Sequence, residues 1–189
     1  ILARLLSVGD RGEYAVFLSV ISVYTILLNF GIPESLVYQL QKKTSKQNEL
    51  VLMGLFIPLI LALSLFLIYF LLIQFNINIF YLEINEVHIL MFLCFTFGSL
   101  NVLLRHLFLK DNLIKTFNLL SSVETVLNLF LFLILVYVNE FNLVNAIGIF
   151  TLSVFISFCV HSVLLKKYFF DLINSQFIFK INDFINLIK

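Results

Sequence analysis

Residues 50–74 read LVLMGLFIPLILALSLFLIYFLLIQ, a continuous apolar run without a single charged side chain. A helix needs roughly 20 mostly apolar residues to cross about 30 Å of hydrocarbon, so this stretch alone predicts a membrane-spanning helix. Residues 15–32, AVFLSVISVYTILLNFGI, form another uncharged run. Its helical character is predicted to continue through Pro33 to about Gln41, which gives a second span.

The rest of the chain contains three further stretches of this kind. The five predicted spans are residues 15–40, 50–74, 87–109, 117–138 and 143–165. Hydrophobic residues make up 61% of the chain and charged residues only 12%, and the mean hydropathy is +1.07, far from the composition of a soluble globular domain. We therefore predict an all-α fold, a polytopic transmembrane helical bundle.

The two ends of the sequence are predicted to differ from this bundle. Residues 1–8, ILARLLSV, read as the last turns of an earlier helix, and there is no initial Met and no signal peptide, so we expect a fragment of a larger protein. Residues 1–167 are predicted to form an N-terminal transmembrane lobe. Residues 168–189 mix aromatic, aliphatic and charged side chains, which predicts an amphipathic segment at the cytoplasmic membrane surface.

Basic residues fall in alternate connections between the predicted spans. The connections at 75–86 and 139–142 contain no Lys or Arg, and Arg4 and Arg11 are the only basic residues not assigned to the opposite side. That side carries Lys42, Lys43, Lys46, Arg105, Lys110, Lys115, Lys166, Lys167, Lys180 and Lys189. Because cytoplasmic loops are enriched in Lys and Arg, this side is predicted to be cytoplasmic, as in a multi-pass protein of a bacterial inner membrane.

Four of the predicted spans carry polar side chains at steps of three and four residues, which places each set on one helix face. The sets are Ser19, Ser22, Thr25 and Asn29; Gly98, Asn101 and Arg105; Ser121, Glu124 and Asn128; and Ser153, Ser157 and His161. They are explained either by hydrogen bonds that join helices or by a shared hydrophilic cavity. Three sets contain an ionisable group, which favours the cavity, because such groups in a membrane usually face protein or water.

Eight residues are the candidates for a substrate cavity. They are Arg4, Asn29, Glu34, Asn101, Arg105, Glu124, Asn128 and His161. Glu124 is the sharpest candidate, since at 1.5 Å per residue it lies about 12 Å inside the start of its helix. Glu34 fits a cavity carboxylate or an interfacial residue equally well. Arg105 is near enough to a helix end for its side chain to reach the headgroups, and His161 fits anion binding, proton transfer or packing.

Several classes of function have no basis in the sequence. The net charge of +1 argues against a nucleic-acid-binding surface. Cys94 and Cys159 lie in apolar runs without the spacing of a metal or redox motif. There is no glycine-rich phosphate loop, no HExxH and no GxSxG. We therefore predict no enzymatic activity and no metal or other cofactor.

Residues 3–15, ARLLSVGDRGEYA, resemble the segment that joins the first two helices of polysaccharide-export flippases in the multidrug/oligosaccharidyl-lipid/polysaccharide superfamily. Residues 29–33, NFGIP, look like the glycine-containing kink late in the second helix of that family. A looser similarity covers most of the remaining chain. Ser7 and Val8 depart from the family, in which Gly and Pro are frequent at these positions.

The resemblance implies a transporter of two six-helix lobes that rock around a central cavity. The chain would run from the end of helix one through helix six, and the missing C-terminal lobe would be its partner. The implied substrate is a polyprenyl-pyrophosphate-linked oligosaccharide, with its lipid tail in the bilayer. Arg4, Arg105 and His161 would meet the pyrophosphate, while Glu34 and Glu124 would couple transport to protons or sodium.

Three other functions are compatible with the same sequence. A drug/cation antiporter of the same superfamily would share this lobe. A membrane-embedded polysaccharide polymerase would also be polytopic, but such enzymes generally need a sizeable loop or domain for catalytic groups, and the complete outer connections here are short. A scaffold without transport activity would use the polar sets only to join helices.

Overall fold

The computed structural model describes residues 6–42, 47–74, 85–110, 112–138 and 142–166. The regular structure of these residues is entirely α-helical. Its helices are α1 (Val8–Asn29), α2 (Ile32–Gln41), α3 (Gln47–Gln74), α4 (Asn85–Lys110), α5 (Ile114–Val138) and α6 (Leu143–Leu164). The predicted segment at 168–189 lies outside the described residues.

Five stretches are long and apolar enough to cross a membrane, in agreement with the predicted all-α polytopic bundle. They are Val8–Gln41, Leu50–Ile68, Val87–Lys110, Ile114–Val138 and Leu143–Leu164. A chain with five such stretches is a multi-pass membrane protein in architecture. Most observed helix ends lie within a few residues of the predicted ones.

The first helix begins earlier than predicted, at Val8 rather than at residue 15. The Ser7 hydroxyl accepts a hydrogen bond from the Asp10 amide (3.1 Å) and donates one to the Asp10 carboxylate (2.8 Å). This cap satisfies an amide of the first turn and starts the helix there. The prediction that residues 1–8 end an earlier helix is therefore wrong for Leu6 and Ser7, which are not helical, and for Val8, which begins the next helix. Residues 1–5 lie outside the described residues.

The first span is interrupted between α1 and α2. Phe30 (φ 29°) and Gly31 (φ 74°) both have left-handed backbone conformations, and Pro33, in the first turn of α2, lacks the amide hydrogen that a continuous helix would use. The predicted helical continuation to Gln41 is confirmed, with this break as the difference. It falls within residues 29–33, where the resemblance implies a kink.

The bundle is organised around α4, which packs against each of the other five helices. Two separate clusters of buried apolar side chains lie at its two ends. One consists of Ile32, Leu36, Leu40, Leu50, Val51, Met53, Ile57, Leu103, Leu104, Leu107, Phe108, Leu120 and Leu165. The other consists of Leu6, Tyr14, Phe17, Ile21, Ala62, Val87, Met91, Cys94, Phe95, Phe132, Leu143, Ala146 and Ile147.

The first cluster lies at the end of the bundle where the helices carry Lys42, Lys110, Lys115 and Lys166, and we call this the basic end. The opposite end is called the far end. At the basic end α3 approaches α2 and α4 closely, because a Cβ added to Gly54 would lie 2.9 Å from a Leu36 methyl carbon. All four lysines at one end agree with the predicted asymmetry of charge.

Candidate functional site

A layer of polar side chains separates the two apolar clusters. Its most buried members are Asn29, Ser99, Asn101, Thr151, Ser153, Ser157 and His161. A buried polar group is costly unless it is hydrogen-bonded, so the bonding of each member shows whether it joins helices or faces a void. The layer divides on this criterion into two adjacent parts.

Between α4 and α6 the polar groups are paired across the helices. Asn101 Nδ2 donates to the Val154 carbonyl oxygen (2.9 Å), so its Oδ1 atom faces His161 and accepts from Nδ1 (3.0 Å). Cys94 Sγ and Thr151 Oγ1 lie 3.2 Å apart one layer closer to the far end. These contacts join α4 to α6 as interhelical hydrogen bonds do in other membrane proteins.

Beside this interface, a cavity of about 350 Å³ separates α1 from α5, and Phe150 and Val154 of α6 complete its lining. The two helices meet at the far end, where the Tyr14 and Phe132 rings are edge to face with centroids 6.3 Å apart. Nearer the basic end the space between them is lined by polar side chains of α1, α4 and α5. These are Ser22, Thr25, Asn101, Arg105, Ser121, Glu124 and Thr125. We call this space the central cavity.

Arg105 and Glu124 supply opposite charges in the central cavity, and these charges attract each other. The Arg105 guanidinium also lies over the Phe117 ring, with its carbon 5.5 Å from the centroid, within the range of a cation–π contact. Its Nε atom is buried and has no hydrogen-bond partner among the described residues. Arg105 therefore retains a donor that can bind an anionic or hydroxyl group.

A second cavity, of about 450 Å³, lies beside the break between α1 and α2, and we call it the hinge cavity. Asn29 and Glu34 line it, together with Phe30 and Gly31. It shares Thr25, Ile26 and Val102 with the central cavity, so the two are adjacent and bordered by the same side chains. Cavities of this size fall within the range of about 300–1,000 Å³ that is common for small-molecule sites.

Hydrogen-bond acceptors dominate the polar part of the hinge cavity. Asn29 Nδ2 donates to the Thr25 carbonyl oxygen (2.7 Å), whereas Asn29 Oδ1 is buried without a partner in the described chain. The Glu34 carboxylate lies 3.6 Å from His106 Nε2. His106 Nδ1 is 2.7 Å from the Val102 carbonyl oxygen, which only accepts, so Nδ1 carries a proton and donates it.

The structure brings together most of the candidate residues but not all. Asn101, Arg105 and Glu124 line the central cavity, and Asn29 and Glu34 line the hinge cavity. His161 is only 1% exposed and bonds to Asn101 from the α6 side, so the shared cavity predicted for four polar sets does not include it. Asn128 is half-buried with an unpaired Oδ1, away from the linings of both cavities. Arg4 lies outside the described residues.

The sequence pattern missed two residues of the site, His106 and Phe117. His106 contacts both Glu34 and the Phe117 ring, whose centroid is 5.3 Å from that of the imidazole. Helical spacing gives no signal for this cluster, because its members come from α2, α4 and α5 and each lies near a helix end. Only the spatial arrangement of the three helices brings them together.

Comparison of the chain with known protein families, with curated proteins and with solved structures finds no match. The polar cavities must therefore be interpreted from their own geometry. Within the described ranges, no group of three or more His, Cys, Asp or Glu side chains is arranged to hold a metal ion. The chemistry that these residues offer is reversible binding through hydrogen bonds and opposite charges.

Proposed function

We propose that the chain forms one lobe of a transporter that moves a lipid-linked oligosaccharide across a bacterial inner membrane by alternating access. The observation that carries this proposal is the central cavity, a polar space with Arg105 and Glu124 between two membrane-spanning helices. A charged side chain inside a membrane is costly, which limits such residues mainly to functional positions. On this proposal, Arg105 and Glu124 bind the polar headgroup of the substrate.

The position of the cavity suits a substrate with a lipid tail. The central cavity borders α5. Only 17% of the most apolar stretch of α5 is buried inside the bundle, compared with 50% for α4. The outer face of α5 carries large exposed apolar side chains, including Leu129, Phe130 and Leu133. A headgroup in the cavity would therefore be next to hydrocarbon that can hold its tail. On this proposal, the contact of Tyr14 with Phe132 would close the far end in the state that is open to the cytoplasm.

The test is a flipping assay with the full-length protein in phosphatidylcholine liposomes. The probe is a polyprenyl-pyrophosphate-linked disaccharide with a fluorophore on its sugar, and a membrane-impermeant quencher reports the fraction in the outer leaflet. We expect the wild-type protein to expose inner-leaflet probe to the quencher and Arg105→Gln to do so about tenfold more slowly, which corresponds to about 1.4 kcal/mol. Equal exposure in protein-free liposomes would refute the proposal.

Glu124 is proposed to couple transport to an ion gradient, because its charge can differ between the two states of the cavity. The isosteric variant Glu124→Gln removes this charge. We expect the flipping rate of the variant to lose its dependence on pH or on sodium. Unchanged dependence on both would exclude Glu124 as the coupling residue while leaving flipping itself intact.

One observation favours a second candidate function, a cation antiporter. Among the described residues that line the two cavities, Glu34 and Glu124 supply two carboxylates against the single cation of Arg105. An acidic cavity attracts cationic substrates. Efflux of a cationic dye from the same liposomes, together with no movement of the sugar-lipid probe, would support this function instead.

A further inference from the structure

We infer that the transported headgroup carries an amino group, which the hinge cavity binds, in addition to the anionic group that Arg105 binds. The inference rests on the proposed function and specifies the chemical class of its substrate. It follows from a difference between the two adjacent cavities in the hydrogen-bonding groups that they offer. The central cavity holds a guanidinium donor, whereas the polar side chains around Glu34 in the hinge cavity offer acceptors.

The first part of the evidence is Asn29. Its side chain is only 7% exposed, and its amide nitrogen is already bonded to the Thr25 carbonyl oxygen, which leaves Oδ1 as an acceptor without a partner in the described chain. A buried acceptor without a partner destabilises the fold. A hydrogen-bond donor that enters the hinge cavity would remove this cost.

The second part is the Glu34 carboxylate, which lines the same cavity as Asn29. His106 Nε2 lies 3.6 Å from one of its oxygens, but the Glu34 side chain is 68% exposed, so the carboxylate keeps further acceptor positions. A protonated amine has three donors, so one ammonium group can bond both to Glu34 and to Asn29 Oδ1.

Charge favours an amine over a hydroxyl group in this position. The Glu34 carboxylate is the only formal charge among the described residues that line the hinge cavity, and hydrogen bonds between ionised groups are roughly twice as strong as neutral ones. The adjacent Arg105 would hold a phosphate group of the same molecule. The preferred headgroup is therefore zwitterionic, with its positive group toward α2 and its negative group toward α5.

The experiment compares two probes that differ at one atom. Both are polyprenyl-pyrophosphate-linked hexoses with a fluorophore on the lipid; one sugar is glucose and the other is 6-amino-6-deoxyglucose, whose alkyl amine is protonated at neutral pH as in Lys. Flipping is measured in liposomes, and equilibrium binding is measured with the purified full-length protein in detergent. Binding tests the inference even in a protein that does not flip either probe.

We expect the wild-type protein to bind the amino probe about tenfold more tightly than the glucose probe, as for a charge-assisted hydrogen bond. In Glu34→Gln this ratio is expected to fall to about one. The Glu34 side chain is 68% exposed, so this isosteric change should leave the fold intact. Glu13→Gln, the same change at the far end of α1, is the matched control and should keep the wild-type ratio.

Three results would overturn the inference. Equal binding of the two probes by the wild-type protein would show that the hinge cavity does not select an amine. An unchanged ratio in Glu34→Gln would place the selectivity elsewhere. Stabilisation by sodium chloride alone that is lost in Glu34→Gln, with equal binding of both probes, would assign the site to an inorganic cation. If neither probe is flipped but the ratio is found in binding, the proposed function fails, while the preference of the hinge cavity for an amine stands.

Discussion

The two sides of α4 carry similar polar residues but differ in how these are bonded. Toward α6, Asn101 is paired with Val154 and His161, and His161 Nε2 is buried without a partner among the described residues and away from both cavities. Toward α1 and α5, Asn29 Oδ1 and Arg105 Nε are buried without partners beside two cavities. The comparison teaches that in this bundle an unpaired buried group is available to a ligand only where its residue borders a cavity, which residue type and helical spacing do not reveal.

The largest loss of stability is expected on the side toward α6. Asn101→Leu removes the bonds to Val154 and His161 and leaves His161 Nδ1 with only the long contact of 3.4 Å to Ser157 Oγ, so we expect the free energy of unfolding to fall by about 2 kcal/mol. It is measured by denaturant titration in mixed micelles. The double variant Asn101→Leu/His161→Leu also removes the His161 imidazole. Its loss of unfolding free energy should therefore be smaller than the sum of the losses in the two single variants. Strict additivity would show that the two side chains are not coupled.

The side toward α1 and α5 is expected to behave in the opposite way. Arg105→Gln should reduce flipping about tenfold, equivalent to about 1.4 kcal/mol, while the free energy of unfolding changes by less than about 1 kcal/mol, because the loss of the attraction to Glu124 and of the contact with Phe117 is offset by removal of an unpaired buried donor. Both quantities are measured on the same purified protein. A loss of stability as large as that of Asn101→Leu would remove the distinction between the two sides.

Two glycines give a smaller and more local comparison. An added Cβ at Gly98, beside the central cavity, would meet only Thr25 Oγ1 at 3.5 Å, whereas at Gly54 it would meet buried Leu36 at 2.9 Å and Leu103 at 3.4 Å. Gly98→Ala should therefore stabilise the helix by up to about 1 kcal/mol, and at Gly54 the steric contact should cancel this gain. Equal unfolding free energies for the two variants would contradict the packing difference.

The smallest effect is expected at Ser19, which belongs to the same predicted set as Ser22 and Thr25. Ser19 is exposed, and its hydroxyl donates only to the Ala15 carbonyl oxygen of its own helix (2.8 Å). Ser19→Ala should change the free energy of unfolding by less than about 0.5 kcal/mol and should leave flipping unchanged. A clear loss of flipping would extend the site along α1 beyond the cavities.

Much of the fold and part of the site could be predicted from the sequence. Length and hydropathy are properties of each segment alone, and they placed all five spans. Helical spacing also placed Ser22, Thr25, Asn101, Arg105 and Glu124 on faces that meet in the structure. The break at Phe30 was located through a resemblance, while the helix start at Val8 depended on a hydrogen bond from Ser7 that the apolar pattern does not reveal.

The remaining features depend on which helices are neighbours, and periodicity carries no information on that. His161 has the same spacing signal as Glu124, yet it faces Asn101 across a closed interface. His106 has no signal of its own and acquires a role only through Glu34 on another helix. Asn128 continues the set of Ser121 and Glu124, but α5 carries it past the end of the cavity.

The break at Phe30 and Gly31 is a hinge near the basic end, about which α1 could rotate as a rigid helix. Leu36 and Leu40 of α2 are fully buried and fix one side of the hinge to the bundle. The 22 residues of α1 on its other side form a helix about 33 Å long at 1.5 Å per residue. Phe30 has a Cβ and is strained in its left-handed conformation by roughly 1–2 kcal/mol, so the bent form is not strongly favoured locally. A swing of about ten degrees would move the far end of α1 by about 6 Å, roughly one helical pitch, and would part Tyr14 from Phe132.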